Sequence, residues 1–160
     1  MFTNVCHIKD WLEDMDIHHY KINRDGTVDV HQSLRITTKM THLPIQFGTI
    51  DGSFRINDVG LTTLKGCPRT VKGSFFASQN ELTNLKGVPT TVRGMLSLWG
   101  NHQLFEVLPY LFDVKGVIKV MLPGPVAIND IVNKYLEQKD ILSCVDALID
   151  AGCYAYCKGV

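Results

Sequence analysis

Residues 61–101 read LTTLKGCPRTVKGSFFASQNELTNLKGVPTTVRGMLSLWGN, and this stretch says nearly the same thing twice. Leu61-Thr-Thr-Leu64-Lys-Gly66-Cys-Pro68 returns as Leu82-Thr-Asn-Leu85-Lys-Gly87-Val-Pro89, and Val71-Lys-Gly73 returns as Val92-Arg-Gly94, each 21 residues later. A fixed period of this size is the signature of a repeat architecture, in which each unit is too small to bury its own apolar row and does so against its neighbours. Working outward, the pattern apolar-x-Gly-x-apolar-x-apolar is met five times. It begins at Val30 (with Gln32 in place of Gly), Ile50, Val71, Val92 and Val114, at spacings of 20, 21, 21 and 22 residues. Its alternation is that of a half-buried strand.

Between these strands lie Met40-x-x-Leu43, Leu61-x-x-Leu64, Leu82-x-x-Leu85 and a worn Leu104-x-x-Val107, with Asn80 and Asn101 just ahead of two of them. The unit therefore reads as a coil of one strand, one turn and one short return segment, stacked beside the next. Pro68 and Pro89 fix φ on the return segment, and the glycines are expected to permit a tight or positive-φ backbone. The expected fold is α+β: a short leucine-rich-repeat-like solenoid of about five coils over 31–122. An N-terminal helix and hairpin (1–30) and C-terminal helices (123–160) cap it, all in one cooperative domain. Caps are required because the end coils otherwise expose apolar edges.

The caps have their own signals. Thr3 or Asn4 is placed to N-cap a helix through about Asp14, with Val5, Ile8, Trp11 and Leu12 on its apolar face. Asn23-Arg-Asp25-Gly26 separates Tyr20–Ile22 from Thr27–Val30 as a hairpin turn. Pro125 suits the first turn of a helix carrying Ile128, Ile131, Val132, Tyr135 and Leu136. A second helix is expected from about Asp140 to Ala151 with Ile141, Leu142, Val145, Leu148 and Ile149 on one face. Gly152 would end it, and Tyr154–Lys158 would add one further turn.

The pattern resembles the short leucine-rich repeats of bacterial effector proteins and, more closely, the small leucine-rich-repeat-like proteins of tailed bacteriophages. In the latter an INxDGTVDV opening (here Ile22–Val30) leads into LTxLxGxPxxVxGxF repeats (here Leu61–Asn101) and a helical tail (here Pro125–Lys158). The resemblance implies architecture more than activity. It implies a protein of the bacterial host cytoplasm whose role is to bind and inhibit or redirect a host protein, an antiviral defence component among the candidates.

Composition agrees with a globular chain: 160 residues, 45% apolar and 20% charged, with 16 basic and 16 acidic residues. That size supports a real core. No stretch has the length of a membrane helix, and Met1-Phe-Thr-Asn-Val-Cys-His has neither the basic start nor the apolar middle of a signal peptide. The five cysteines, Cys6, Cys67, Cys144, Cys153 and Cys157, are odd in number and match no zinc or redox spacing, so they read as free thiols of a reducing compartment. Asn23–Gly26 lacks the flanking ligands of a calcium loop, and His7, His18 and His19 share no metal spacing with a cysteine or carboxylate. No phosphate loop and no nucleophile–base signature is visible. No enzyme, cofactor or metal is expected.

What remains is surface. If the family geometry holds, residues between and just after the buried strand positions face the concave side: Arg35, Thr37 and Thr38, then Arg55, Asn57 and Asp58. Phe76, Ser78 and Gln79 follow, then Ser97, Trp99 and Gly100, and lastly Lys119 and Met121. Of these, Arg55, Asn57, Phe76, Ser78, Gln79, Trp99 and Met121 form the candidate partner-binding set, since aromatic residues and arginine are the usual anchors of interfaces. A second ladder precedes each motif glycine: His31, Asp51, Lys72, Arg93 and Lys115. Residues 34–122 hold ten basic against five acidic residues, so the neutral total hides a basic middle between acidic ends. Lys72, Arg93 and Lys115 thus make a possible basic stripe, and nucleic acid a possible partner. Self-assembly through a coil edge is the third reading.

Overall fold

The computed structural model describes residues 4–105, 107–158 and 160. It is a β-solenoid of about four regular coils at a spacing of about 21 residues, flanked by an N-terminal helix and C-terminal helices.

The N-terminal helix α1 (Val5–Asp14) starts at Asn4, whose side chain accepts a hydrogen bond from the Cys6 amide at 2.8 Å. Thr3, the other candidate cap, lies outside the described residues. Ile8 and Leu12 are buried and Trp11 half-buried, but Val5 is exposed, so the apolar face begins one turn later than its spacing implied. Strands β1 (Tyr20–Ile22) and β2 (Val28–Val30) form the expected hairpin. Its turn is closed by Asp25, which accepts from both the amide and the hydroxyl of Thr27, and by Gly26 at φ +79°.

Each coil then carries two short strands rather than one. Strands β4 (Phe47–Ile50), β6 (Thr70–Val71) and β8 (Thr91–Val92) extend the hairpin into one sheet, in the order β1-β2-β4-β6-β8. Strands β3 (Leu34–Arg35), β5 (Phe54–Arg55), β7 (Phe75–Phe76), β9 (Met95–Ser97) and β10 (Lys119–Met121) form the second sheet, in the order β10-β9-β7-β5-β3. All coil-to-coil pairs are parallel. The expected single strand is broken at the motif glycine, and that break is the corner between the sheets. There the backbone passes so close to the preceding coil that a Cβ on Gly73 would lie 2.7 Å from Ser53 Oγ and 2.8 Å from its amide nitrogen.

The glycines of the return segments serve differently. Cys67 and Val88 amides close β-turns onto Leu64 and Leu85 carbonyls, with Gly66 and Gly87 third in the turn at φ +94° and +93°. That conformation is open to glycine at little steric cost.

Inward residues stack coil on coil: Ile50, Val71 and Val92 in the first sheet, and Leu34, Phe54, Phe75, Leu96 and Val120 in the second. All are buried. The Phe54 and Phe75 rings stack at 5.9 Å, Phe47 lies 5.5 Å from Phe54, and Trp11 packs on Phe47 at 6.3 Å. One continuous core therefore runs from α1 to the tail.

The fifth copy is displaced. Its period of 22 places Ile118 on Leu96, but Val120 pairs with Leu96 and Ile118 is 72% exposed. A one-and-a-half-turn helix α2 (Leu108–Asp113) replaces the return segment here. Gly116, at φ +77°, turns the chain where Gly94 merely lies close to Ser74.

Helix α3 (Val126–Gln138) starts from Pro125 as its cap and closes the open edge of β10. Asn133 accepts from the Val120 amide at 2.7 Å and donates to the Val120 carbonyl at 2.9 Å. Asn129, one helical turn earlier, accepts from the Leu122 amide at 2.6 Å. These side chains supply the hydrogen bonds that a further coil would have made, which an edge strand otherwise leaves unpaired. Helix α4 (Ile141–Asp150) is capped by Asp140 and ends before Gly152, at φ +72°; a 3-10 turn follows at Tyr154–Cys157. Its buried face centres on Cys144 and Leu148, whereas Leu142 is 70% exposed and Ile149 also lies open, contrary to their expected place on the packed face.

Candidate functional site

On the second sheet the residues that follow the inward ones are brought into a column by the parallel register, and all but the buried Ser97 are exposed or half-buried. Arg35, Arg55, Phe76, Ser97 and Met121 form one column in direct register. Within it the Arg55 guanidinium lies 4.2 Å above the centre of the Phe76 ring, a cation–π contact that also holds the ring half-buried. Met121 is exposed at the far end of the column. At the near end Ser33, Arg35, Arg55 and Asn57 line an open hollow of about 390 Å³.

Two residues further along each coil lies a second set of candidates, and the structure divides them. Asn57 is exposed, yet its side-chain carbonyl accepts from the Ser78 amide at 2.9 Å. Ser78 is buried and shares a 2.8 Å hydrogen bond with Ser97, so its hydroxyl is committed between coils. Gln79 is exposed at φ +56°, its amide donating to the Trp99 carbonyl. Trp99 is 51% exposed. The candidates brought together on one surface are therefore Arg55, Phe76, Trp99 and Met121 with Arg35 beside them. Asn57 and Ser78 serve chiefly to tie coils together.

The basic stripe is altered by its neighbours. Asp51 sits in the same ladder and binds both flanking residues, Lys72 at 2.8 Å and His31 at 2.9 Å. These contacts, Lys72 first, hold the Asp51 carboxyl below its ordinary value. Lys115 pairs with Thr91 rather than Arg93, because of the same shift that displaces the fifth copy, and so falls in the threonine row. Arg93 is left as the stripe's uncommitted cation, with no ion pair among the described residues.

Two buried asparagines hold the corners that lead away from this face. Asn80 accepts from the amides of Val59, Gly60 and Leu61 and donates to the carbonyls of Ile56 and Ala77. Asn101, 21 residues on, accepts from Leu82 and donates to Ala77 and Leu98. The cysteines are all free, and burial keeps the Cys67 thiol protonated while pushing Cys144 up to about 11. Among the described residues no three His, Cys, Asp or Glu side chains are grouped to hold a metal, and no helix is long and apolar enough to cross a membrane. Compared with protein-family models, curated proteins and solved structures, the chain gave no match.

One feature was visible in sequence only as a repeat of Lys65 and Lys86: the paired Leu-Lys-Gly-x-Pro turns border a cleft on the first-sheet side of the coil. Arg69 and Tyr110, which adjoin it, had no sequence signal, since one falls outside the repeat pattern and the other in α2.

Proposed function

We propose that this chain is a non-enzymatic protein-binding module whose partner lies against the outer face of the second sheet, anchored by Arg55, Phe76, Trp99 and Met121. The observation that carries this reading is the half-exposed Trp99 on a rigid ladder, next to the aromatic and sulfur-bearing side chains of the Phe76–Met121 column. Large apolar side chains held open to water beside arginine are the usual centre of an interface. The face is graded: Arg35 and Arg55 make one end cationic, and the other carries Trp99 and Met121, with Lys119 beside Met121 on the same side of β10. Its complement is a protein surface with a carboxylate at one end and a pocket or aliphatic patch at the other.

The partner's origin is carried by the resemblance to small bacteriophage proteins. On that ground we propose a host protein of the bacterial cytoplasm, with antiviral defence proteins as the first to be tried. Nucleic acid along the basic stripe is less well supported, since Asp51 offsets Lys72 and Lys115 stands out of line. Self-assembly by coil stacking is opposed by Asn129 and Asn133, which occupy the β10 edge.

The test is a pull-down from bacterial lysate with nuclease present, using the full chain and Trp99→Ala in parallel. One stoichiometric protein retained by the first and lost by the second, with both chains melting alike, is the expected result. Equal retention by the two would refute the assignment of this face. Recovery abolished by nuclease would replace it with nucleic acid.

A further inference from the structure

The cleft at the paired Leu-Lys-Gly-x-Pro turns is strongly basic, and it lies apart from the second-sheet face. It has a volume of about 690 Å³ and is lined by Lys65, Arg69 and Lys86 with no carboxylate in its wall. That volume lies within the range of small-molecule sites. Lys65 and Lys86 are exposed and form no ion pair among the described residues. They occupy the same position of successive coils, so their Cα atoms are set about one strand spacing, ~4.8 Å, apart. Arg69 lies on the same wall and is near enough to Asp25 to contribute, after Thr27, to holding that carboxyl below its ordinary value. In the wall the Gln46 side-chain nitrogen donates to the Phe47 and Cys67 carbonyls, and the Thr63 hydroxyl accepts from the Lys65 backbone amide, which leaves the Lys65 ammonium free of that contact. The Cys67 thiol, buried and protonated, adds no negative charge. Three cationic side chains therefore line one concavity that has no carboxylate in its wall, with Asp25 beyond it as the anion near Arg69.

A second, smaller hollow of about 170 Å³ adjoins the cleft and shares Gly87, Val88 and Thr90 with it. Its remaining wall is Pro89, the half-buried ring of Tyr110, Val114 and, at its rim, Asp113. Cations at one end and a proline–tyrosine wall at the other suit a ligand with clustered phosphates and a planar ring. A carboxylate beside the ring end, and none beside the lysines, would set which way round such a ligand lies, because Asp113 repels phosphate and accepts from a ring amine. Arginine and paired lysines match phosphate better than a single carboxylate, which needs only one of them.

We propose that this double hollow is a nucleotide site. Lys65, Arg69 and Lys86 hold the phosphates of a nucleoside di- or triphosphate, and Tyr110 packs against its base. The site is independent of the protein-binding face and would stand if that assignment failed.

Calorimetric titration of the full chain with ADP, AMP and pyrophosphate in dilute salt tests this. ADP is expected to bind one to one and more tightly than AMP, and to weaken as salt rises. The double variant Lys65→Gln/Lys86→Gln should weaken ADP about tenfold or more, since two charge-assisted hydrogen bonds are lost. Tyr110→Leu should weaken ADP about fivefold while leaving pyrophosphate nearly unchanged, as loss of one stacking face requires. Both variants must melt as the parent does. Where Tyr110→Leu does not, shifts of the Gly66 and Gly87 amide resonances on adding ADP to the unaltered chain take its place. No saturable ADP binding at millimolar concentration would overturn the proposal. So would equal affinity in the lysine double variant, or binding of a single-stranded oligonucleotide without binding of ADP.

Discussion

Replacing Asn80 with alanine should be among the most damaging polar substitutions available to this chain. The side chain is buried, and its Oδ1 accepts from Val59 at 3.1 Å, Gly60 at 2.9 Å and Leu61 at 3.0 Å, while Nδ2 donates to Ile56 at 2.8 Å and Ala77 at 3.1 Å. Alanine removes every one of these partners and offers none. Val59 and Leu61 are fully buried, so their amides lose access to any acceptor unless water enters the space. With a stranded buried donor costing about 1–3 kcal/mol, two of them and the orphaned Ile56 carbonyl give about 3–5 kcal/mol, while the Ala77 carbonyl keeps Asn101. That is a large share of the roughly 5–15 kcal/mol that a domain possesses.

Asn101 provides the internal comparison. It occupies the same place one coil later but accepts from one amide only, Leu82 at 3.2 Å. Asn101→Ala should therefore cost less, about 1–3 kcal/mol. Urea titration followed by tryptophan fluorescence and by circular dichroism would measure both. A third variant, Asn80→Asp, keeps the acceptor and turns the donor into a second acceptor facing the Ile56 and Ala77 carbonyls. Asn80→Asp should therefore also be destabilised at neutral pH, because the three amides keep their acceptor while the Ile56 carbonyl meets an oxygen that has no hydrogen to give. An Asn80→Ala cost under about 0.5 kcal/mol, the range of surface changes, would refute the account of the corner, as would a larger cost at Asn101.

Leu85→Ala, at a fully buried position of the return segment, should cost about 2–5 kcal/mol through the cavity it leaves, measured by the same titration. Asn133→Leu removes both hydrogen bonds to Val120. It should lower stability by about 1–3 kcal/mol and introduce concentration-dependent association in sedimentation, whereas a monomer at all concentrations would separate edge capping from solubility. The lowered pKa of Asp51, caused first by Lys72 and then by His31, means that its contribution is present above the ordinary carboxylate value and is lost as pH falls through the lowered one. The stability difference between the parent and Asp51→Asn should therefore shrink as pH falls from about 5 to 2, and a difference that grows would contradict the pairing.

The regular coils were legible in sequence because their information is local and repeated. Phe54, Phe75 and Leu96 recur at 21 residues, and that period is the stacking register itself. The fifth copy was misread by two residues because Val114–Val120 fits the same alternating pattern in either register. Only packing of α2 and the turn at Gly116 decide between Ile118 and Val120. The corner between the sheets was hidden for a related reason. A glycine that is needed for close approach to Ser53 and one that is needed for positive φ look identical in a one-letter string. Ion pairing across coils was equally invisible. His31, Asp51 and Lys72 stand in one ladder by sequence, but whether Asp51 joins its neighbours or points away depends on side-chain geometry.

That difference between what the period fixes and what it leaves free bears on where binding can occur. Inward columns are held by packing, and the corner asparagines are held by backbone groups that have no alternative partner. Asn57 and Ser78 bond to the next coil, but Trp99 follows them in the same position with its ring half exposed. The sheet's own architecture asks nothing of that ring, so its effect is expected on association rather than on folding. The same reasoning applies to Lys65 and Lys86, whose turns are closed by backbone bonds and by Gly66 and Gly87 whatever the lysine side chain does. Substitutions at Trp99 and at the two lysines should therefore leave the melting temperature unchanged and act on separate ligands. A thermal melt beside each binding measurement checks this, and a shared loss of both activities in any one of these variants would show that the two surfaces are not independent.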